Sequence, residues 1–197
     1  MRISGPFCLV VLSLFGLVCG RADAAETVIG SSQAVLCYRN AEAGSSDSHD
    51  CDDALKDEIM TQHDRASTLV NRGIIENTAR RFDAAIADFN AALAITPALA
   101  EAFLNRGNSR FLQGQMNEAL ADYTRAIDLK IDRMSAAYYN RALVYGAMGR
   151  LKEAQADLQM AIAIDPGFKE AQSELAVVNQ LMARPAQPPP PAKGGTG

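Results

Sequence analysis

One short motif recurs at a nearly constant interval in this chain of 197 residues. An asparagine, an arginine and a small residue stand side by side three times, and successive copies are 34 and then 35 residues apart. The copies are Asn71–Arg72–Gly73, Asn105–Arg106–Gly107 and Asn140–Arg141–Ala142. A fixed period of about 20 to 50 residues is typical of proteins in which one supersecondary unit stacks on the next.

Small and large residues alternate in step with that motif. When the third residue of each copy is numbered position 8, the units begin at Ala66, Ala100 and Ser135. Every unit has Gly or Ala at positions 8, 20 and 27, and bulky apolar residues at positions 4, 17 and 24. Small residues allow two helix backbones to approach closely while large ones fill the space beside them. The pattern predicts helix pairs that bury their apolar faces only by stacking.

These positions resemble the signature of the tetratricopeptide repeat family over residues 66–166, with a proline at position 32 in Pro97 and Pro166. The resemblance implies an all-α, right-handed solenoid. Three helix hairpins would occupy residues 66–99, 100–134 and 135–168, a degenerate capping repeat residues 25–65, and a capping helix residues 169–183. Departures from the family pattern are Ile131 in place of the proline, one extra residue before Ser135, and Glu76 and Arg110 at position 11.

The two ends of the chain differ from the repeats in composition. Residues 1–24 combine Arg2, an apolar stretch from Phe7 to Cys19, and Ala22-Asp23-Ala24, which is the order of a secretory signal peptide. A membrane anchor is the alternative, although the apolar run of 13 residues is shorter than the roughly 20 that span a bilayer. Residues 184–197 hold five of the eight prolines, and they predict an extended, disordered tail.

Removal of residues 1–24 would leave a mildly acidic chain. Loss of Arg2, Arg21 and Asp23 moves the formal charge from −4 to −5, and no basic run remains. This argues against nucleic acid and anionic membranes as partners. The arrangement resembles exported repeat proteins of Gram-negative bacteria, which implies the periplasm and no membrane insertion after signal cleavage.

Cys37 and Cys51 are the two cysteines left in the mature chain. In an exported protein such a pair is more typical of a disulfide than of a metal site, and two free buried thiols are the alternative. Cys51, Ala54 and Leu55 imitate positions 24, 27 and 28 of a unit. We therefore expect a degenerate repeat that is pinned by a disulfide.

No catalytic arrangement is visible, so we expect neither an enzyme nor a cofactor. His49, Cys51 and the neighbouring aspartates are sequential rather than spaced to converge on a metal. They indicate an acidic helix start, because Asp favours a helix N-terminus. We therefore expect no metal site.

Arginine at position 7 and aspartate at position 23 recur in every unit. They predict structural ion pairs between the two helices or across neighbouring units, with a ligand role for the arginines as the alternative. The residues are Arg72, Asp88, Arg106, Asp122, Arg141 and Asp157.

The family resemblance also implies a binding surface, because positions 2, 5, 6, 9, 12 and 13 of the first helix line a concave groove. Asn71, Asn105 and Asn140 at position 6 would form a ladder of amides that hydrogen-bonds an extended peptide backbone. The alternative is that they only join adjacent helices. The remaining groove candidates are Ile74, Leu104, Asn108, Phe111, Tyr139 and Leu143.

The lysines with which some family members clamp a C-terminal carboxylate are absent from positions 2 and 5. The sequence therefore predicts a non-enzymatic adaptor that binds a peptide segment of an unidentified protein partner. The rival hypothesis is a structural protein that associates with itself and leaves its groove empty. The oligomeric state stays open at this point.

Overall fold

The computed structural model describes residues 32–57 and 59–183. Within these ranges the chain forms nine α-helices and no strand, which confirms the all-α prediction. The segments predicted as signal peptide, residues 1–24, and as tail, residues 184–197, lie outside the described residues. The helices are α1 Ser32–Glu42, α2 His49–Leu55, α3 Gln62–Thr78, α4 Phe82–Ile95, α5 Ala100–Leu112, α6 Met116–Asp128, α7 Met134–Ala147, α8 Leu151–Ile164 and α9 Lys169–Ala183.

Helices α3 to α8 pack as three consecutive hairpins, and each hairpin packs against the next. The turns inside the second and third hairpins contain Gly114 and Gly149, whose φ angles are +78° and +72°. Glycine adopts this left-handed conformation without the steric cost that other residues carry. After Gly114, the N–H of Gln115 donates to the carbonyl of Arg110 at 2.8 Å and closes the end of α5.

An aromatic ring packs on a glycine inside each of the first two hairpins. Phe89 covers Gly73 and Tyr123 covers Gly107, and both rings are fully buried. The third hairpin has Ala142 and the smaller Leu158 at the same two positions. The two units with an aromatic ring at position 24 therefore have glycine at position 8, whereas the unit with leucine at position 24 has alanine there.

The junction between the second and third hairpins follows a different route from the other two. Lys130 takes a φ of 56°, and the N–H of Ile131 donates back to the carbonyl of Ala126. The side chain of Ile131 is buried in the same apolar cluster as Tyr123 and Ala137. Replacement of the proline thus changes the path of the chain, and the junction is filled by an apolar side chain.

Helices α1 and α2 form a shortened hairpin on the first full unit. Cys51 and Ala54 of α2 are buried, which suits the positions that they imitate. The guanidinium of Arg65 donates to the carbonyls of Leu55 and Asp57 at 2.9 and 2.8 Å. Arg65 therefore ties the C-terminal end of α2 to the start of α3.

Helix α9 continues the repeat register as a first helix without a partner. Ala171 and Val178 are buried, as are Ala137 and Val144, their counterparts 34 residues earlier. Gln155 of α8 donates to Asn179 at 2.6 Å and fixes α9 on the array. In residues 32–57 and 59–183, no helix has the length and apolar character that crossing a membrane requires.

Candidate functional site

Each position-7 arginine forms a two-pronged ion pair with the position-23 aspartate of its own unit. Nε and Nη2 of Arg72 donate to Asp88 at 2.8 and 2.6 Å. The same atoms of Arg106 donate to Asp122 at 2.9 and 2.7 Å. The bidentate geometry fixes the two helices of a hairpin relative to each other.

The third unit has the same two-pronged ion pair, in which Arg141 donates to Asp157 at 2.7 and 2.8 Å. All three aspartates are buried. Hydrogen bonds to the aspartates raise the pKa of Arg72 and of Arg141 above the ordinary value for arginine. Arg72 and Arg141 are therefore charged, and their guanidinium groups are held in place by contacts within the protein.

The remaining guanidinium nitrogen of each arginine reaches back to the preceding unit. Nη1 of Arg72 donates to Asp52 at 2.8 Å, and Nη1 of Arg106 donates to Asn90 at 2.6 Å. Nη1 of Arg141 donates to Thr124 at 3.1 Å. Asn90 and Thr124 occupy position 25, and Asp52 follows Cys51 in the degenerate repeat as position 25 follows position 24. Each arginine therefore joins three helices: its own, the second helix of its unit and a helix of the preceding unit. We name this set of contacts the bracket.

Position 11, where the sequence departs from the family pattern, carries further ion pairs. Arg110 donates to Asp122 at 2.7 Å, so this carboxylate receives two guanidinium groups. Glu76 pairs with Arg81, and this contact lowers the pKa of Glu76 below its ordinary value. Sequence reasoning noted these two residues only as exceptions. Their charge was the signal that an ion pair replaces the usual aromatic contact.

The three asparagines of the predicted ladder are buried, and their role in binding a peptide stays a prediction. Asn71, Asn105 and Asn140 are 0, 3 and 7% exposed. The amide of Asn105 donates to the carbonyl of Glu101 at 2.9 Å, and that of Asn140 donates to Asn108 at 3.0 Å. Asn140 and Asn108 belong to adjacent first helices, which is the alternative role that the sequence left open.

Most of the apolar groove candidates are also closed. Ile74, Leu104, Tyr139 and Leu143 are buried among neighbouring helices. The ring of Tyr139, for example, lies 5.0 Å from that of Phe168. Stacking of the units thus covers these four side chains, and their part in a binding groove stays a prediction. The other two candidates, Asn108 and Phe111, are half-buried.

Accessible apolar side chains lie further along the first helices, at their C-terminal ends. Leu112 of α5 and Leu181 of α9 share position 13 and are 44 and 47% exposed. Met148 and Met182 follow at position 14 and are 37 and 38% exposed. We name these four residues the apolar row. Leu112 stands at position 13, which the family resemblance already assigned to the groove. Leu181 and Met182 were not predicted because α9 was not placed in the repeat register, although the spacing of Ala171 and Val178 was available as a signal.

Carboxylates lie nearer the N-terminal ends of α5 and α9. Glu101 and Glu170 occupy position 2 and Glu174 occupies position 6, and we name these three residues the acidic edge. Burial raises the pKa of Glu174 above its ordinary value. The pKa of Tyr139 is raised chiefly by burial and further by the charges of Glu174 and Glu170.

The disulfide takes the place of aromatic packing in the degenerate repeat. Cys37 of α1 and Cys51 of α2 are bonded, with their Cα atoms 4.7 Å apart. Cys51 stands where the full units have Phe89, Tyr123 or Leu158. The covalent bond thus joins α1 and α2 at the point where the full units pack a large apolar side chain. Nearby, His49 lies 3.5 Å from Asp53, and the described residues include no cluster able to hold a metal ion.

Comparison with known proteins agrees with this architecture. Residues 100–130 and 135–168 match the family model described as Tetratricopeptide repeat. The chain therefore carries tetratricopeptide repeats, and the repeat solenoid predicted from the sequence is confirmed.

Two curated relatives show how far the likeness extends. The chain is 29% identical to Tetratricopeptide repeat protein 36 of Homo sapiens over 133 residues, which cover 65% of this chain and 69% of that protein. It is 34% identical over 90 residues to DnaJ homolog subfamily C member 7 of Mus musculus, covering 43% of this chain and only 18% of the relative. The second likeness is thus confined to a repeat region.

A solved structure shares the fold. It is the second TPR domain of the human RPAP3 protein in complex with HSP70 peptide SGPTIEEVD. The TM-score is 0.57 and the identity 27%, and the match covers 60% of this chain and 98% of that chain. These similarities support protein–protein interaction as the general role of the chain.

Proposed function

We propose that the protein is a non-enzymatic adaptor that binds a peptide segment of a protein partner across the concave face of α5, α7 and α9. One observation carries this proposal. Leu112 and Leu181 remain about half exposed at equivalent positions of different units, whereas most of the groove candidates nearer the middle of the first helices are closed. Exposed apolar surface that recurs in register across units is typical of an interaction site.

Peptide binding by a similar domain supports the proposal. The human RPAP3 domain is described in complex with an HSP70 peptide that ends in Glu-Glu-Val-Asp. The peptide chemistry itself does not transfer, because this chain has glutamate or neutral residues at positions 2 and 5, where a carboxylate clamp needs lysine. A different segment is therefore the occupant.

We also infer that the adaptor works outside the cytoplasm, in the periplasm of a Gram-negative bacterium. Residues 1–24 have the order of a signal peptide, and the disulfide between Cys37 and Cys51 suits an oxidising compartment. Expression of the full chain in a Gram-negative host, followed by N-terminal sequencing of the periplasmic fraction, tests this. A mature protein that begins at Ala25 is expected. Retention of full-length protein in the cytoplasm would contradict export.

Self-association is a second candidate, favoured by apolar side chains at the last unit of the array. Met160 and Ile164 of α8 are each 45% exposed. Sedimentation equilibrium of residues 25–197 over a hundredfold range of concentration separates the two. A constant monomer mass removes the second candidate.

The groove itself is tested with a displayed library of random peptides selected on purified residues 25–197. We expect families of peptides that bind the parent and lose binding when Leu112→Ser and Leu181→Ser are combined. The matched control combines Leu36→Ser and Ile59→Ser, since these side chains are also exposed, at 41 and 89%, but lie on the degenerate repeat and the segment before α3. Equal binding to both variants, or no selected peptides, would overturn the proposal.

A further inference from the structure

We propose that the segment bound in this groove is a cationic amphipathic helix, with apolar side chains on the apolar row and Lys or Arg toward the acidic edge. This inference rests on the proposed function and names the chemistry of its occupant.

The acidic edge is available to an external cation. Asp88, Asp122 and Asp157 are buried and paired with arginine inside the repeats, whereas Glu101 and Glu174 are half-buried and Glu170 is exposed. Lys169 is the basic neighbour on the first turn of α9, and its side chain is exposed. Arg133 directly precedes α7 at the same end of the array. Three carboxylates against these two basic residues leave the edge with a net charge of −1.

The electrostatic environment strengthens the case at the C-terminal unit. Glu174 is half-buried, and burial raises its pKa because a carboxylate is poorly solvated there. A cation placed beside a partly desolvated carboxylate replaces some of the lost solvation. An anionic segment would instead add repulsion at the same place.

The dimensions of the groove fit a helix. Glu174 and Leu181 are seven residues apart on α9, which corresponds to about 10 Å along the helix axis. This is close to the diameter of an α-helix with its side chains, about 10–12 Å. A helix lying across the array therefore reaches the apolar row with one face and the acidic edge with its flank.

The length of the segment follows from the spacing of the units. Leu112 and Leu181 lie on α5 and α9 with α7 between them, and packed helices are about 8–10 Å apart. The row therefore extends for about 20 Å, which an α-helix of about 14 residues covers at 1.5 Å per residue. Methionines in the row adapt to apolar side chains of different shape.

The test uses two fluorescein-labelled amphipathic peptides of about 14 residues, one of Leu and Lys at helical spacing and a twin with Glu in place of every Lys. Anisotropy titrations with residues 25–197 are expected to show binding of the Lys peptide at least about tenfold tighter than that of the twin. Combined Glu170→Gln and Glu174→Gln should weaken the Lys peptide by about fivefold, with the effect fading as salt rises.

A charge-matched control combines Glu118→Gln and Asp128→Asn, two exposed positions on α6. This variant has the same net charge as the Glu170/Glu174 variant and should bind the Lys peptide as the parent does. An equal loss in both variants would show general attraction to an acidic protein and would overturn the inference.

The remaining outcomes separate this inference from the proposed function. If both peptides bind equally and both lose binding in the Leu112→Ser/Leu181→Ser variant, the groove binds peptides but the cationic preference is wrong. If neither peptide responds to that variant, the inference and the proposed groove fail together. Circular dichroism melts of every variant establish that each one is folded before its binding is compared.

Discussion

The ring of Phe89 lies so close to the α-carbon of Gly73 that a Cβ at residue 73 would be 2.6 Å from ring atom Cε1. Gly107 and Tyr123 show the same relationship at 2.7 Å. The two helices of each hairpin therefore approach at a distance that only glycine permits beside an aromatic ring. In the third unit Leu158 replaces the ring, and alanine at residue 142 is accommodated.

Gly73→Ala should destabilise the protein even though alanine is the better helix former. The added methyl group would press on a fully buried ring, and overpacking of this kind costs about 1–3 kcal/mol. Urea denaturation followed by circular dichroism measures the change in the free energy of unfolding.

Two further variants decide whether the ring is the cause. Adding Phe89→Leu to Gly73→Ala should recover part of the loss, because it recreates the pair found in the third unit. Gly146→Ala serves as the control, since a Cβ there meets no atom within 4 Å. It should stabilise α7 by about 0.5–1 kcal/mol. A loss at Gly146 equal to that at Gly73 would contradict the packing explanation.

Loss of the carboxylate at Asp122 should cost more than the equivalent change in the third unit. Asp122 receives both Arg106 and Arg110, whereas the hydrogen bonds to Asp157 within residues 32–57 and 59–183 come from Arg141. Asp122→Asn leaves two guanidinium groups without their counter-ion in a buried site, and we expect a loss of about 3 kcal/mol. Denaturation of Asp122→Asn and Asp157→Asn in parallel measures the difference. Equal losses would show that Arg110 adds nothing to the pair.

Reduction of the disulfide should loosen the degenerate repeat and spare the second and third units. Helix α2 is short, and its attachment depends on the bond between Cys37 and Cys51 together with contacts from Arg65 and Arg72. A cross-link of this span stabilises by about 3 kcal/mol in the chain-entropy model. Amide hydrogen exchange with and without reductant should show faster exchange in α1 and α2 but not in α7 and α8. Cys37→Ala combined with Cys51→Ala should reproduce the reduced pattern; uniform exchange throughout the array would count against a local role.

Glu174→Gln should raise stability at neutral pH and make little difference in acid. Burial raises the pKa of Glu174 in the folded state, so the folded protein holds this proton more tightly than the unfolded chain does. Ionisation therefore opposes folding above the folded-state pKa, and this opposition disappears as the pH falls below the ordinary value near 4.5. Thermal melts of parent and variant from pH 4 to pH 8 should converge at the acid end. A difference in melting temperature that is independent of pH would exclude this explanation.

The hairpins could be predicted from the sequence because small and large residues recur at fixed positions of every unit. The ion pair of Arg106 with Asp122, and the equivalent pairs in the other two units, could also be predicted from recurrence. The exposure of the groove residues could not be predicted from recurrence, because the environment of Asn140 depends on Asn108 in the preceding unit. That contact depends on how the units stack, which a residue period does not define. The repeat register of α9 could not be recognised from the motif, because Leu175 stands where the other units have arginine.

The bracket formed by each position-7 arginine also bears on how such an array can change in length. A unit cut at its own boundaries contains both an arginine that binds backward and, at position 25, a residue that accepts the next arginine. Arg106 and Thr124 are these two contacts in the second unit. A tandem duplication of residues 100–134 would therefore bring matching partners on both sides of the new joint. Growth by duplication would preserve the network without any compensating substitution, whereas growth beyond α9 would first require an arginine at residue 175.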